Sequence, residues 1–251
     1  MTWSFITVVA AGAIAAGFVQ GLSGFAFSLV AMSFWAWSIE PRLAAAMAVF
    51  GGLVGQLLAV FSVRRGFNLR LLLPFLLGGF AGVPTGALLL PHLDIDIFKL
   101  AIGVLLVLWC PTMLISRQLP RMNAGRIADG AIGFVGGVMG GLGGFSGAVP
   151  TLWCTLRGLE KDTQRAIIQN FNLGMLSLTM IAYVATGVVT LDMLPMFAII
   201  VPAMLIPTLL GAKLYIGISE ATFRKIVLSL LTASGLAMLA SSVPHLLHRD
   251  A

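Results

Sequence analysis

The stretch "GFVGGVMGGLGGFSG", Gly133 to Gly147, decides how the chain is read. Eight of its fifteen residues are glycine, and none carries a charge. Glycine is a poor helix former in water, yet apolar chain continues on both sides of the run. A greasy segment built so loosely in its middle asks for a reason.

Composition narrows the answer. The chain has 251 residues, 59% hydrophobic and only 10% charged, with a mean hydropathy of +1.03. Soluble domains carry roughly 25% charged residues, and a soluble fold of this size could not hide so much apolar surface. The solvent is therefore lipid, and the expected fold class is an all-α polytopic membrane protein. Net charge is +6, but the basic residues sit in short loops between apolar runs. That is a topology signal and excludes a nucleic-acid footprint. The two cysteines, Cys110 and Cys154, lie far apart in apolar context and read as packed thiols. His92, His245 and His248 sit near segment ends. No metal-ligand spacing occurs, so no metal or cofactor is expected. The N-terminus, "MTWSFITVVAAG", lacks a basic n-region, and no cleaved signal peptide is expected.

Three apolar runs in each half have the length of ordinary spans: 43–63, 71–91 and 98–116, then 164–187, 193–213 and 224–243. Each approaches the ~20 residues that cross a bilayer. Two runs, 3–39 and 128–156, are too long for one helix, and the second holds the glycine run. Loop charge arbitrates between crossing once and turning back. Four loops carry three basic residues each: Arg64, Arg65 and Arg70; Arg117, Arg121 and Arg126; Arg157, Lys161 and Arg165; Lys213, Arg224 and Lys225. The remaining loops hold only Arg42, Lys99 and Arg249. If both long runs return to their starting side, twelve basic residues fall inside and three outside. The positive-inside rule selects that arrangement, with N- and C-termini outside (periplasmic) in a bacterial inner membrane. Both long runs then become helical hairpins. An arm of about 14 residues in the second reaches only ~21 Å of a ~30 Å core, so that hairpin is expected to be re-entrant. The first is longer and is expected to come near to crossing twice.

The halves resemble each other. "GFVQGLSG" (Gly17 to Gly24) matches "GFVGGVMG" (Gly133 to Gly140) at five of eight positions. "VPTGALL" from Val83 echoes "IPTLLGAKL" from Ile206, and "FKLAIGVLL" from Phe98 echoes "FRKIVLSLL" from Phe223. The matches keep their order. Each half holds one glycine-rich hairpin plus three transmembrane helices. An odd number of spans makes the two repeats inverted, an arrangement common in secondary transporters. The expected organisation is a first repeat over 1–116, a cytoplasmic linker over 117–126 and a second repeat over 127–251.

These residues resemble the sulfite exporter TauE/SafE family, whose members pair two half-molecule repeats, each opening with a glycine-rich hydrophobic motif. The motifs here are "GFVQGLSGFAFSLVA" and "GFVGGVMGGLGGFSGAVPTL", with "PTLLGAKL" late in the second half. The likeness covers nearly the whole chain. The first motif departs in having Met32-Ser33 where a proline is usual. The resemblance implies a permease for small anions such as sulfite or organosulfonates.

The residues themselves suggest where an anion would sit. A hairpin tip inside the membrane frees backbone N–H groups, and helix N-termini present such donors with partial positive charge. Glycine lets a ligand approach the backbone. Inverted hairpins would bring "QGLSGF" (Gln20 to Phe25) and "GGLGGFSG" (Gly140 to Gly147) face to face. The expected substrate-binding set is Gln20, Gly21, Ser23, Gly24 and Ser28 from the first hairpin, and Gly140, Gly141, Gly143, Gly144, Ser146 and Gly147 from the second. Gln169, Asn170 and Asn172 of "QNFN" would add amides. The competing role for the glycines is helix packing, since Gly133, Gly137, Gly141 and Gly136, Gly140, Gly144 recur at four-residue spacing. The competing role for the amides is interhelical hydrogen bonding. The first-half region around "VFGG" (from Val49) has no amide, so the site is expected to be asymmetric. Thr85 and Thr208 follow Pro84 and Pro207 and are expected to serve broken backbone as much as substrate. Arg42, Arg157 and Arg165 would line the mouths, and Trp3, Trp35, Trp37, Trp109 and Trp153 would form an interfacial belt.

No nucleotide-binding motif occurs, and no Asp or Glu lies deep in an expected span. The expected function is a secondary transporter exporting a small anion by alternating access. An ion-coupled uptake permease is the alternative; an intramembrane enzyme or a non-transporting scaffold is the alternative of another class. No catalytic Ser–His, paired Asp or zinc pattern occurs in the spans. The expected partners are a small anionic substrate and the lipid bilayer, with no nucleic acid and a homo-oligomer left open.

Overall fold

The computed structural model describes residues 3–62, 68–115, 122, 124–214, and, nearer the C-terminus, 225, 228–229, 231–233, 235–236, 238–240 and 242–243. Among the described residues the chain is helical and contains no strand. The helices are α1 (Trp3–Ser23), α2 (Phe27–Trp35), α3 (Pro41–Ser62), α4 (Leu69–Leu89), α5 (Ile95–Ile115), α6 (Arg126–Gly143), α7 (Ala148–Leu156), α8 (Lys161–Ala185) and α9 (Leu194–Leu214). Among the described residues six stretches are long and apolar enough to cross a membrane: Trp3–Ser23, Pro41–Ala59, Leu69–His92, Asp96–Ile115, Thr163–Ala185 and Leu191–Lys213. In lipid every backbone polar group must find a partner within the protein, which is why so apolar a chain is helical. Five expected spans coincide with α3, α4, α5, α8 and α9. The sixth, 224–243, and the linker 117–126 lie partly outside the described residues; near residue 235 the chain is helical and Gly235 packs on Gly103 of α5.

Both long runs fold as hairpins with unequal arms. The first pairs α1, of 21 residues, with α2, of nine. The second pairs α6, of 18 residues, with α7, of nine. A nine-residue helix reaches only ~14 Å. The expectation of two 14-residue arms in the second hairpin is therefore corrected, as is that of a first hairpin nearly crossing twice. In each case one arm is long and the returning arm is short.

The two turns are made alike. Gly24 and Gly144 stand in the left-handed region, at φ +82° and +81°. Their N–H groups donate to the carbonyls of Gln20 and Gly140, each at 2.7 Å. Such a conformation ends a helix and is open to glycine at no steric cost. It also sets the register between the halves. "GLSGF" (Gly21 to Phe25) is the structural counterpart of "GLGGF" (Gly141 to Phe145), one helical turn away from the pairing the sequence comparison suggested. Glycine recurring every fourth residue makes a one-turn slip nearly invisible in sequence.

The two glycine rows of α6 face different neighbours. Gly133, Gly137 and Gly141 lie on the backbone of α4 at Phe75, Gly79 and Val83. From α4, Gly78, Gly82 and Gly86 answer against Gly130, Phe134 and Val138. The matched order means that α4 and α6 run parallel, in backbone contact. A second parallel pair forms where Gly17 and Gly21 of α1 meet Met204 and Thr208 of α9. Each hairpin's long arm thus packs on the Pro-Thr helix of the other half, as small residues in a membrane helix permit. The other row, Gly136 and Gly140, faces Ser146 at the start of the hairpin's own return.

The base of the second hairpin is clipped. The carboxylate of Asp129, in the first turn of α6, accepts from Arg157 at 2.8 and 2.7 Å and from Trp153 Nε1 at 2.8 Å. The hairpin therefore closes on itself at the level where it began. Asp129 is 3% exposed. Of the tryptophans expected at the interface, Trp3 and Trp37 are exposed, whereas Trp35 and Trp109 are buried and do not form part of such a belt. Their indole N–H groups donate to the carbonyls of Val8 and Ala148, so both lock hairpins in place.

Candidate functional site

The two tips meet. Gly144 lies against Ser28 of α2, and Gly147 lies against Phe25 and Asn172. A Cβ on Gly24 would come within 3.2 Å of Gln169 Nε2. Phe25 also packs edge-on against Trp109, with ring centroids 6.1 Å apart. Contacts between the tips are thus made through glycine, Ser28 and the ring of Phe25.

The first tip is closed by its own side chains. Ser23 Oγ donates to Val19 O at 2.8 Å and accepts from the N–H groups of Ala26 and Phe25. Gln20 Oε1 accepts from Phe27 N at 3.0 Å, and Ser28 Oγ donates to Ala48 O. Gln56 Nε2, from α3, donates to the Gly24 carbonyl at 2.7 Å. Free groups at the start of α2 are in this way satisfied before any ligand arrives.

The second tip is held differently. No side chain caps the start of α7. Ser146 Oγ donates to Asn172 Oδ1 at 2.8 Å, and Tyr183 OH donates to Gly141 O at 2.6 Å. Gln169 and Asn172 are buried on one face of α8, three residues apart. Among the described residues, Gln20 Nε2, Gln169 Nε2, Thr179 Oγ1, Thr208 Oγ1 and Ser242 Oγ are buried without a hydrogen-bond partner. An unpaired buried amide is costly unless something else binds there.

The fourteen expected residues therefore separate. Gln20, Ser23, Gly24, Ser28, Gly144, Ser146, Gly147, Gln169 and Asn172 lie at or beside the meeting tips. Gly140 backs Ser146, while Gly21 and Gly141 lie on α9 and α4. Gly143 packs on Phe145 and Met32. Asn170 points elsewhere: its Nδ2 donates to the Ala166 carbonyl of its own helix. Residues 169 and 172 share a helical face and 170 does not, a distinction the spacing already contained. Gln56 was missed: the "VFGG" region itself has no amide, but Gln56 lies one turn further along the same helix and bonds the first tip. Its signal was an amide inside an otherwise apolar run, since such groups in a membrane need partners. Thr179 and Tyr183 carried no comparable signal.

Charge stays at the margins. Arg157 is engaged by Asp129, and Arg42 Nη2 donates to Pro91 O, so neither stands free at a mouth. Arg165 lies one turn before Gln169 on α8. Thr85 Oγ1 donates to Ala81 O, the ordinary back-bond of a helical threonine and not a bond to the Phe80 carbonyl that Pro84 frees, whereas Thr208 makes no such bond among the described residues. Among the described residues no group of His, Cys, Asp or Glu could hold a metal ion. The donors left unpaired at or beside the tips are the Gln20 and Gln169 amides and the Thr179 hydroxyl, all neutral.

No curated protein and no solved structure matches the chain significantly. The profile of one family, described as sulfite exporter TauE/SafE, matches residues 9–238. That match takes in both glycine hairpins, their meeting tips and the Pro-Thr helices they pack on; the chain belongs to the sulfite exporter TauE/SafE family.

Proposed function

We propose that the chain carries a small sulfur-containing oxyanion, such as sulfite or an organosulfonate, out across a bacterial inner membrane. The meeting point of the two hairpin tips is the substrate site in this reading. The observation that carries it is Gln169 Nε2, buried, unpaired and set against the left-handed glycine of the opposite hairpin. Family membership points the same way, to a multi-pass membrane transporter of sulfur anions.

Alternating access follows from treating the halves as inverted repeats, with both termini outside. Parallel packing of α4 on α6, and of α1 on α9, supports that treatment, because each hairpin can then move with the opposite half. Neutral donors at the tips hold an oxyanion without a fixed cation, as helix N-termini do elsewhere. For a monoanion, an inside-negative potential favours exit by ~2.3 kcal/mol per 100 mV, so export needs no coupling ion.

The test is efflux from proteoliposomes loaded with sulfite or methanesulfonate. Efflux should accelerate when a potassium gradient with valinomycin makes the lumen negative, and slow when the sign is reversed. Efflux indifferent to the sign of the potential would refute uncoupled export. A strict requirement for Na⁺ or a proton gradient would favour the uptake permease.

A further inference from the structure

One face of α8 carries Gln169, Asn172, Leu176, Thr179 and Tyr183, at alternating three- and four-residue steps. That spacing places them on a single seam of the helix. All five are buried. The polar members reach the second hairpin in turn: Asn172 at Ser146 and Gly147, Thr179 beside Gly140, and Tyr183 at the Gly141 carbonyl. Gln169 reaches across to Gly24.

The corresponding seam of the first half has no polar group. Gln20 and Gly140 are counterparts, each four residues before its left-handed glycine. The residue of α3 facing Gln20 is Gly55; the residue of α8 beside Gly140 is Thr179. Counting back by the same steps sets Ala45 and Ala48 of α3 opposite Gln169 and Asn172 in the comparison. Both alanines are fully buried. On α3 the first hairpin meets alanine and glycine along the seam and, beside it, the Gln56 amide, which is spent on the Gly24 carbonyl; on α8 the second meets amides and hydroxyls.

Thr179 is unusual in a second respect. Threonines in apolar helices satisfy themselves by donating to the carbonyl four residues back. Thr7, Thr85, Thr112, Thr155 and Thr186 all do so. The Thr179 hydroxyl does not, although it is 0% exposed, and it has no other partner among the described residues.

Resting on the anion-carrier reading above, we propose that the route of the anion runs along the α8 seam. Gln169 and Thr179 are its two binding stops, and the α3 side is structural. Ten residues of helix separate the stops, or ~15 Å. An anion held at Gln169 on one side of the tips is received at Thr179 on the other when the second hairpin shifts.

The experiment measures methanesulfonate exchange in proteoliposomes, methanesulfonate binding by calorimetry in micelles, and thermal stability. Gln169→Leu and Thr179→Val should each slow exchange about tenfold, the worth of one hydrogen bond to an anion. Thr179→Ser should stay within about twofold of the wild type. The double variant should lose binding by well over tenfold. Neither Gln169→Leu nor Thr179→Val should lower thermal stability, because each removes an unpaired buried polar group. Thr208→Val is the control: its hydroxyl is equally unpaired, but the residue is on α9, packed against α1 and off the seam. It should exchange like the wild type. Full exchange by Gln169→Leu and Thr179→Val, in a wild type that itself exchanges, would overturn the seam and leave the anion carrier standing. An equal loss in Thr208→Val would also overturn it. A wild type that neither binds nor exchanges methanesulfonate or sulfite would remove both readings.

Discussion

Replacing Asp129 by alanine tests whether the clip at the base of the second hairpin holds the short return arm in place. Asp129 makes three charge-assisted or polar bonds, all to residues at the end of α7 or just beyond it: two to Arg157 Nη1 and one to Trp153 Nε1. The side chain of Asp129 is 4% exposed and that of Arg157 is 20% exposed. Removing one partner of a buried pair costs about 3–5 kcal/mol. Arg157 keeps some water, which places this variant at the low end, about 3 kcal/mol. Losing the acceptor for Trp153 adds about 1 kcal/mol. The expected total is about 4 kcal/mol, read as equilibrium unfolding in mild detergent with increasing SDS. Arg157→Met in the Asp129→Ala background should restore about half of the loss, because no guanidinium is then left unpaired. The reasoning fails if Asp129→Ala costs under about 1 kcal/mol, the range of an exposed ion pair. It fails equally if the two substitutions add without coupling, since residues that share a bond should not be additive.

Other perturbations address the turns and the packing. Gly144→Ala should cost more than Gly24→Ala by about 1 kcal/mol or more in the same unfolding assay; both pay about 1–2 kcal/mol for the left-handed backbone. The difference arises because a methyl at Gly144 meets Ser28 and Val49, whereas at Gly24 it meets only the movable end of Gln169. Gly137→Ala should destabilise by about 1–3 kcal/mol, because its methyl would press into the backbone of Gly79 on α4; an unchanged midpoint would mean that α4 and α6 are not in backbone contact. Gln56→Leu should cost about 1–3 kcal/mol by stranding the Gly24 carbonyl, and a neutral result would show that this carbonyl has another donor.

The hairpins were legible because basic residues report which side of the membrane a loop occupies. Their arms were not, because nothing in local composition marks where a membrane hairpin turns. Glycine appears every few residues from Gly130 to Gly147, and a single left-handed φ at Gly144 makes the turn. The same redundancy hid the register between the halves. Gln169 and Asn172 could be found as amides in an apolar run, and helical spacing alone separates them from Asn170. The role of Gln56 depends on a carbonyl exposed 32 residues earlier. Trp35 and Trp109 could not be told from interfacial tryptophans, because a buried indole and an interfacial one have the same apolar neighbours in sequence.

By itself the amino-acid sequence determined the solvent, the helical class, the two returning segments and the recurrence of glycine in both halves. These follow from composition, segment length and loop charge, which are additive along the chain. Only the tertiary structure decided what each glycine of the opening stretch is for. Gly133, Gly137 and Gly141 admit α4, Gly136 and Gly140 admit Ser146 at the return of their own hairpin, and Gly144 makes the turn. A missing side chain has no address until a second backbone comes to occupy its space.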